Sequence, residues 1–165
     1  MPKPPSQPGC SWVEECIEEC DGPTLFVEEE GVRATFLNPR RRRLRKVHYD
    51  GCHARTGSPQ ADYIVGLIDV IDVVVELKGS DANIQGAAVQ VENTIHAWKG
   101  DTKRAPKVAA LIVYGRIEGP KRLPGRIPRA KAVISGVVAR FVKSGILLLI
   151  EETGRRQYSF RDFME

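Results

Sequence analysis

Three apolar segments between residues 61 and 115 constrain this chain more than any other feature. Two runs rich in β-branched residues, "YIVGLI" and "VVVEL", flank Asp69 and read as strands joined by a turn. The stretch that follows repeats Ile84, Ala88, Val91, Ile95 and Trp98 with a period close to that of a helix, and Ser80 or Asp81 is the expected N-cap. Gly86 inside it weakens the helix slightly. "VAALIVYG" then has apolar residues on both faces, as in a strand covered on both sides and parallel to its neighbour. Strand, helix, strand in that order implies a right-handed crossover. The fold expected is α/β, a mixed central sheet flanked by helices.

The second run does not end as a buried strand should. Side chains alternate along a strand, so Glu76 and Lys78 share a face with Val74, while Val73, Val75 and Leu77 point the other way. An antiparallel hairpin centred on Asp69 sets Asp62 opposite Glu76, with β-carbons about 5 Å apart. Two carboxylates that close repel, and in a partly buried place one takes up a proton unless a cation lies between them. Hard oxygen ligands favour Mg2+ or Mn2+, which keep several waters and add substrate phosphate oxygens to one or two protein carboxylates. Lys78 would stand beside the ion, placed to orient a water or to offset charge building on a phosphate. The competing reading is an exposed strand end, because a register slip of one residue would turn Asp62 to the opposite face.

The remaining segments complete the expectation. Residues 11–21, "SWVEECIEECD", place Trp12, Val13, Cys16, Ile17 and Cys20 at helical spacing behind a Ser11 cap and predict a first helix. Residues 24–37 predict a hairpin or bent strand turning at Glu30-Gly31, and "VHYDGC" a further strand before a loop. Residues 129–145 carry Val133, Ile134, Val137, Val138, Phe141 and Val142 on one stripe, a helix with Pro128 before it and Gly145 as its stop. The chain is expected to close with a hairpin turning at Thr153-Gly154. The 165 residues suffice for one core, read as a flexible tail over residues 1–10 and a single domain over residues 11–165.

Four cysteines, Cys10, Cys16, Cys20 and Cys52, leave two disulfides or a zinc site as alternatives. No Cys-x-x-Cys pair is present, and reduced, buried thiols in a cytoplasmic protein are the expectation. There is no run of 18 or more apolar residues, and no membrane partner is expected. The net charge of +4 is unevenly placed. Residues 40–46 and 115–131 hold much of the positive charge and the first 30 residues are acidic, a distribution that suits a polyanion on one side.

The pattern "QADYIVG", then "VVVELKGSD", then a helix containing "AAVQVENTI", resembles the PD-(D/E)xK nuclease superfamily over residues 11–115. The resemblance is to small stand-alone members, and it departs from the usual motif in having "QAD" where Pro-Asp is common. It implies a restriction-endonuclease-like core, αβββαβ, followed here by a C-terminal helix and hairpin. It further implies a Mg2+- or Mn2+-dependent phosphodiesterase, more often an endonuclease than an exonuclease, acting on DNA and less often on RNA. Asp62 and Glu76 would hold the metal, with a first-helix glutamate, Glu18 among Glu14, Glu15, Glu18 and Glu19, as a further ligand. Lys78 would position the attacking water and Gln90 would steady the arrangement. Arg40, Arg41, Arg42, Arg43, Arg45, Lys46, Lys121, Arg122 and Arg126 would grip phosphates without reading sequence. The partner implied is nucleic acid, with the protein acting as a homodimer or as a subunit of a larger defence or repair complex. The alternative is a non-catalytic nucleic-acid-binding subunit with the same fold.

Overall fold

The structure is a computed structural model that describes residues 6–54, 57–79, 83–115, 126–153 and 157–164, with the side chains of residues 126–130 outside that description. In chain order the described residues form β1 (Cys10–Glu14), β2 (Ile17–Cys20), β3 (Thr24–Glu29), β4 (Val32–Leu37), β5 (Leu44–His48), β6 (Tyr63–Leu67), β7 (Ile71–Lys78), α1 (Ile84–Trp98), β8 (Lys107–Tyr114), α2 (Arg126–Lys143), β9 (Leu148–Glu152) and a 3-10 turn (Phe160–Phe163). Seven strands make one mixed sheet in the order β1-β2-β5-β6-β7-β8-β9, and β3 pairs with β4 alone. Neighbours from β1 to β7 run antiparallel, whereas β7, β8 and β9 are parallel. The molecule is therefore α/β with a mixed central sheet, and strands outnumber helices among the described residues.

The sheet is covered on both faces. On one, Val65, Val73, Val75 and Leu111 pack against Leu25, Val27 and Phe36 of the β3–β4 hairpin, with Tyr158, Phe160 and Phe163 closing over Phe36. On the other, Ile64, Val74, Ala110 and Ile112 meet Ala88, Val91, Ile95 and Trp98 of α1 and Val137 and Phe141 of α2. That double burial is why β7 and β8 read as continuous apolar runs.

The hairpin around Asp69 has the register the sequence predicts. Tyr63 faces Val75 and Leu67 faces Ile71, and Asp69 adopts a left-handed φ of 65° at the turn. The β3–β4 hairpin turns at Glu30-Gly31, as expected, with Gly31 at φ 78°. β8 is parallel to β7, and α2 stops at Ser144-Gly145, where Gly145 has φ 77°. The cap of α1 is Asn83, whose side chain accepts from the Gly86 N–H; Ser80 and Asp81 lie outside the described residues.

Four expectations are corrected. Residues 11–21 form no helix: they belong to the β1–β2 hairpin, in which Cys10 faces Cys20 and Trp12 faces Glu18. The cysteines are not thiols, since Cys10 is bonded to Cys20 and Cys16 to Cys52. Disulfides persist in oxidising surroundings, so the thiol argument for a cytoplasmic chain falls with them. No described helix is long and apolar enough to cross a membrane. The tail is shorter than residues 1–10, because Gln7 accepts from the Phe26 N–H and the Gly9 carbonyl accepts from Asp21. Finally, among the described residues β9 pairs with β8 alone: Gly154 of the expected turn lies outside them, and Tyr158 bridges to Phe36 in the other layer.

One acid belongs to the fold. Asp72 is 2% exposed and its Oδ2 accepts from Trp98 Nε1 (2.8 Å) and from the Ala105 N–H (2.7 Å), tying β7 to the end of α1 and to the start of β8. Gly66, opposite it, leaves the space, since a Cβ there would meet Asp72 Oδ1 at 2.3 Å. Asp72→Ala leaves two buried donors unpaired and is expected to lower unfolding free energy by about 2–4 kcal/mol in urea titrations. Gly66→Ala should destabilise by roughly 1–3 kcal/mol through the same contact.

Candidate active site

The carboxyl ends of the parallel strands β7 and β8 are where an open α/β sheet offers room for a ligand. Asp62 and Glu76 meet there, one residue beyond the paired positions Tyr63 and Val75. The Asp62 N–H donates to Glu76 Oε1 (3.2 Å), and the Leu77 N–H donates to Asp62 Oδ2 (2.9 Å). Lys78 Nζ lies 3.0 Å from Glu76 Oε2. Glu76 is 1% exposed, whereas Asp62 is half-buried and the Lys78 side chain is 27% exposed, so the group opens to solvent past those two residues.

Burial, then the charge of Asp62 and a hydrogen bond between the two carboxyl groups, push Glu76 from the ordinary glutamate value of 4.5 up to about 8; Lys78 opposes them. Burial also raises Asp62, against the Leu77 N–H and Lys78. In the absence of a cation the pair therefore shares a proton at neutral pH. Further acids crowd the mouth. Burial and the charges of Asp62, Glu30 and Asp50 raise Glu29 at the tip of the β3–β4 hairpin, and burial followed by Glu29 and Asp62 pushes Tyr63 up to about 12. The hairpin tip is held in place by Tyr63 Oη donating to the Glu28 carbonyl (3.1 Å). It also packs closely on Gly79, where a Cβ would come within 3.2 Å of the Glu30 carbonyl.

Helix α1 fixes the approach to Asp62. Thr94, fully buried, accepts from the Ala61 N–H (2.7 Å) and lies 3.0 Å from Gln60 Oε1. Gln90 Nε2 donates to the Gln60 carbonyl (3.2 Å) and Asn93 Nδ2 to that of Pro59 (2.8 Å). Gln90 thus touches the backbone two residues before Asp62 and acts as a positioning residue. From the other side, the Tyr49 N–H donates to the Asp62 carbonyl (3.0 Å). The Cys16–Cys52 disulfide and a 3.0 Å contact between His53 Nε2 and Asp101 Oδ2 anchor the loop that follows Tyr49. Sequence reasoning misses Thr94, Glu29 and the disulfide, although "DGCH" marks the anchored loop.

Other expected residues lie elsewhere. Glu18 does not join Asp62 and Glu76. It faces Lys46 on the β3–β4 side of the sheet, whereas the carboxylate pair continues the Ile64 and Val74 face that packs on α1. Burial disfavours its charge, but hydrogen bonds from His48 (2.7 Å) and Ser6 together with the Lys46 charge outweigh it and hold the pKa low. Lys46 is not a phosphate contact: it is buried, and its ammonium donates to the Phe26 carbonyl (3.0 Å). Arg45 Nη1 donates to the Lys103 carbonyl and Arg43 pairs with Glu19. Arg40, Arg41 and Arg42 are exposed, before the start of β5, at the end of the sheet opposite the pair. Lys121 and Arg122 lie outside the described residues, as does the side chain of Arg126 at the start of α2.

Two carboxylates and a neighbouring ammonium suit a cation that takes the rest of its shell from water and substrate. Among the described residues, no three His, Cys, Asp or Glu side chains are gathered as a ready-made cage for an ion. No family model, curated protein or solved structure matches the chain.

The raised Glu76 gives stability a signed pH dependence. Between 4.5 and about 8 the folded chain holds a proton that the unfolded chain has released, so stability falls as pH rises through that window. Thermal melts in chelator should show this decline, and Glu76→Gln should flatten it.

Proposed function

We propose that the chain is a Mg2+- or Mn2+-dependent phosphodiesterase acting on DNA, an endonuclease of the PD-(D/E)xK kind. The observation that carries this reading is the meeting of Asp62, Glu76 and Lys78 at the carboxyl end of β7, with Lys78 Nζ 3.0 Å from Glu76 and the group open to solvent. The order β5, β6, β7, α1, β8, with the last two strands parallel, supports it by supplying the βββαβ part of such a core. Among the described residues the first helix of that core has no counterpart, and neither does a helix-borne glutamate.

Each side chain then has a defined part. Asp62 and Glu76, on releasing their shared proton, would offer oxygens to a cation, and the acids at the mouth would favour its approach. When bound, the cation supplies Lewis acidity toward a phosphate oxygen and lowers the pKa of a water. Lys78, no longer needed to offset Glu76, donates toward the attacking water or the phosphate. Thr94 and Gln90 keep Asp62 within reach by holding residues 60 and 61 against α1.

A non-catalytic nucleic-acid-binding subunit accounts less well for the pair. Holding two carboxyl groups together in a mostly buried place opposes folding, and binding phosphates requires the opposite charge.

The test is incubation with plasmid, single-stranded and branched DNA and with RNA, in Mg2+, Mn2+ or chelator. Cleavage should require the metal and fall roughly 10^2 to 10^3-fold or more in Glu76→Gln and Lys78→Ala, while circular dichroism stays unchanged. Cutting that survives both substitutions, or persists in chelator, would reject this site.

A further inference from the structure

The carboxylate pair lies at the carboxyl end of β7, while Arg40, Arg41 and Arg42 lie beyond Leu44, which faces Leu67 near the start of that strand. From Ile71 at the start of β7 to Glu76 is five residues along the strand, about 17 Å at ~3.3 Å per residue, and the arginines lie beyond that start. The arginine turn is built rather than loose. Asn38, 4% exposed, spends its side chain on it: Nδ2 donates to the Arg42 carbonyl (2.8 Å) and to Gly22 (2.9 Å), and Oδ1 accepts from the Arg42 N–H (3.0 Å). Arg41 donates its N–H to the Asn38 carbonyl and is held at φ 49°, a left-handed conformation that a non-glycine residue seldom adopts.

This turn and the 3-10 turn both line a groove of about 460 Å3, with Arg40, Arg42 and Arg161 among its lining residues beside Leu67 and Phe160. The 3-10 turn is fixed as well, since Ser159 and Asp162 form a capping box at its start. A second groove, sharing Met164 with the first, continues with Lys99, Arg104 and Lys107. Among the described residues no ion pair engages Arg40, Arg41, Arg42 or Arg161, in contrast with Arg43, which Glu19 neutralises.

Guanidinium groups held together without counter-charges repel one another, and their planar forks match phosphate oxygens. From β5 to β8 the basic end crosses three strand spacings, about 14 Å, the rise of about four base pairs at ~3.4 Å per phosphate on each strand. We infer that this end of the sheet, with Arg40, Arg42 and Arg161 at its centre, is a second nucleic-acid site that anchors duplex backbone remote from the carboxylate pair. The inference rests on the proposed function only for the choice of nucleic acid as the polyanion. Because the two ends are separated along β7, the anchored duplex flanks the segment at the pair.

The test is fluorescence anisotropy in chelator, so that nothing is cut, with a long labelled duplex of about 30 base pairs, ~100 Å, across a KCl series. Charge reversal of Arg40, Arg42 and Arg161 together should weaken binding of the long duplex by at least tenfold and reduce the salt slope by about 2 to 3. Arg33→Gln, on the β3–β4 hairpin, is the control and should leave both unchanged, with thermal melts showing all variants folded. Wild-type affinity and slope in the triple variant would overturn the inference, as would binding to heparin or polyglutamate but not to duplex DNA. If wild type binds in this way yet cuts nothing, the anchoring site stands and the nuclease reading fails. If wild type cuts and the triple variant binds and cuts unchanged, the nuclease reading stands and the anchoring site fails.

Discussion

Two carboxyl groups on adjacent strands repel each other, and the surroundings of Asp62 and Glu76 read as consequences of keeping them together. The antiparallel register about Asp69 puts them opposite, and burial removes the water that would otherwise screen them. What remains is local compensation: the Asp62 N–H on Glu76, the Leu77 N–H on Asp62, Lys78 on Glu76, and a shared proton. Each partner acts on one protonation state, so the pair is balanced between its protonated and ionised forms. A purely structural strand end would gain nothing from that balance, because an apolar pair at the same positions would pack without it.

Holding the pair also explains distant features. Asp62 lies outside β6 and has no ladder of its own beyond that strand, so its backbone is fixed from both sides, by Tyr49 and by residues of α1. Thr94 has one hydroxyl for three neighbours and no exposure to water, which makes it a rigid joint between helix and loop. The Cys16–Cys52 disulfide and the His53–Asp101 contact limit how far residues 50–54 can move. A small chain thereby holds its site on elements that belong to three different parts of the sequence.

Much of this is legible in the sequence because burial on both faces leaves a continuous apolar signature. β7, β8 and α1 declare themselves by period, and the turn at Asp69 fixes the register that aligns Asp62 with Glu76. Residues 11–21 mislead for a physical reason. Trp12, Cys16 and Cys20 fit a helical stripe as well as they fit two short strands, and four glutamates are good helix formers. The decisive signal is pairwise: Cys10 and Cys20 are symmetric about Glu15, as the ends of a hairpin must be. The Cys16–Cys52 bond carries no such symmetry, and Thr94 looks like any buried helix residue until its partners are known. The C-terminal aromatics, Tyr158, Phe160 and Phe163, resemble a returning strand because alternation cannot say which layer a segment joins.

The arrangement of charge follows from the same topology. Parallel strands β7 and β8 send their carboxyl ends one way, and the β3–β4 hairpin sends its acidic tip, Glu28, Glu29 and Glu30, to that same end. Several of the described basic residues lie where those strands begin: Arg40 to Arg42 before β5, Lys99 after α1, Arg104 and Lys107 at the start of β8, and Arg161 beside them. A dipole that along the chain sets the first 30 residues against the rest is, in space, a dipole along the strands. Under the proposed function a cation would be drawn to one end and a polyanion to the other, so the two attractions would not compete for one surface. Placed beside Glu76, the arginine turn would lower the carboxyl pKa; the antiparallel run of β5, β6 and β7 puts the two at opposite ends of the sheet instead.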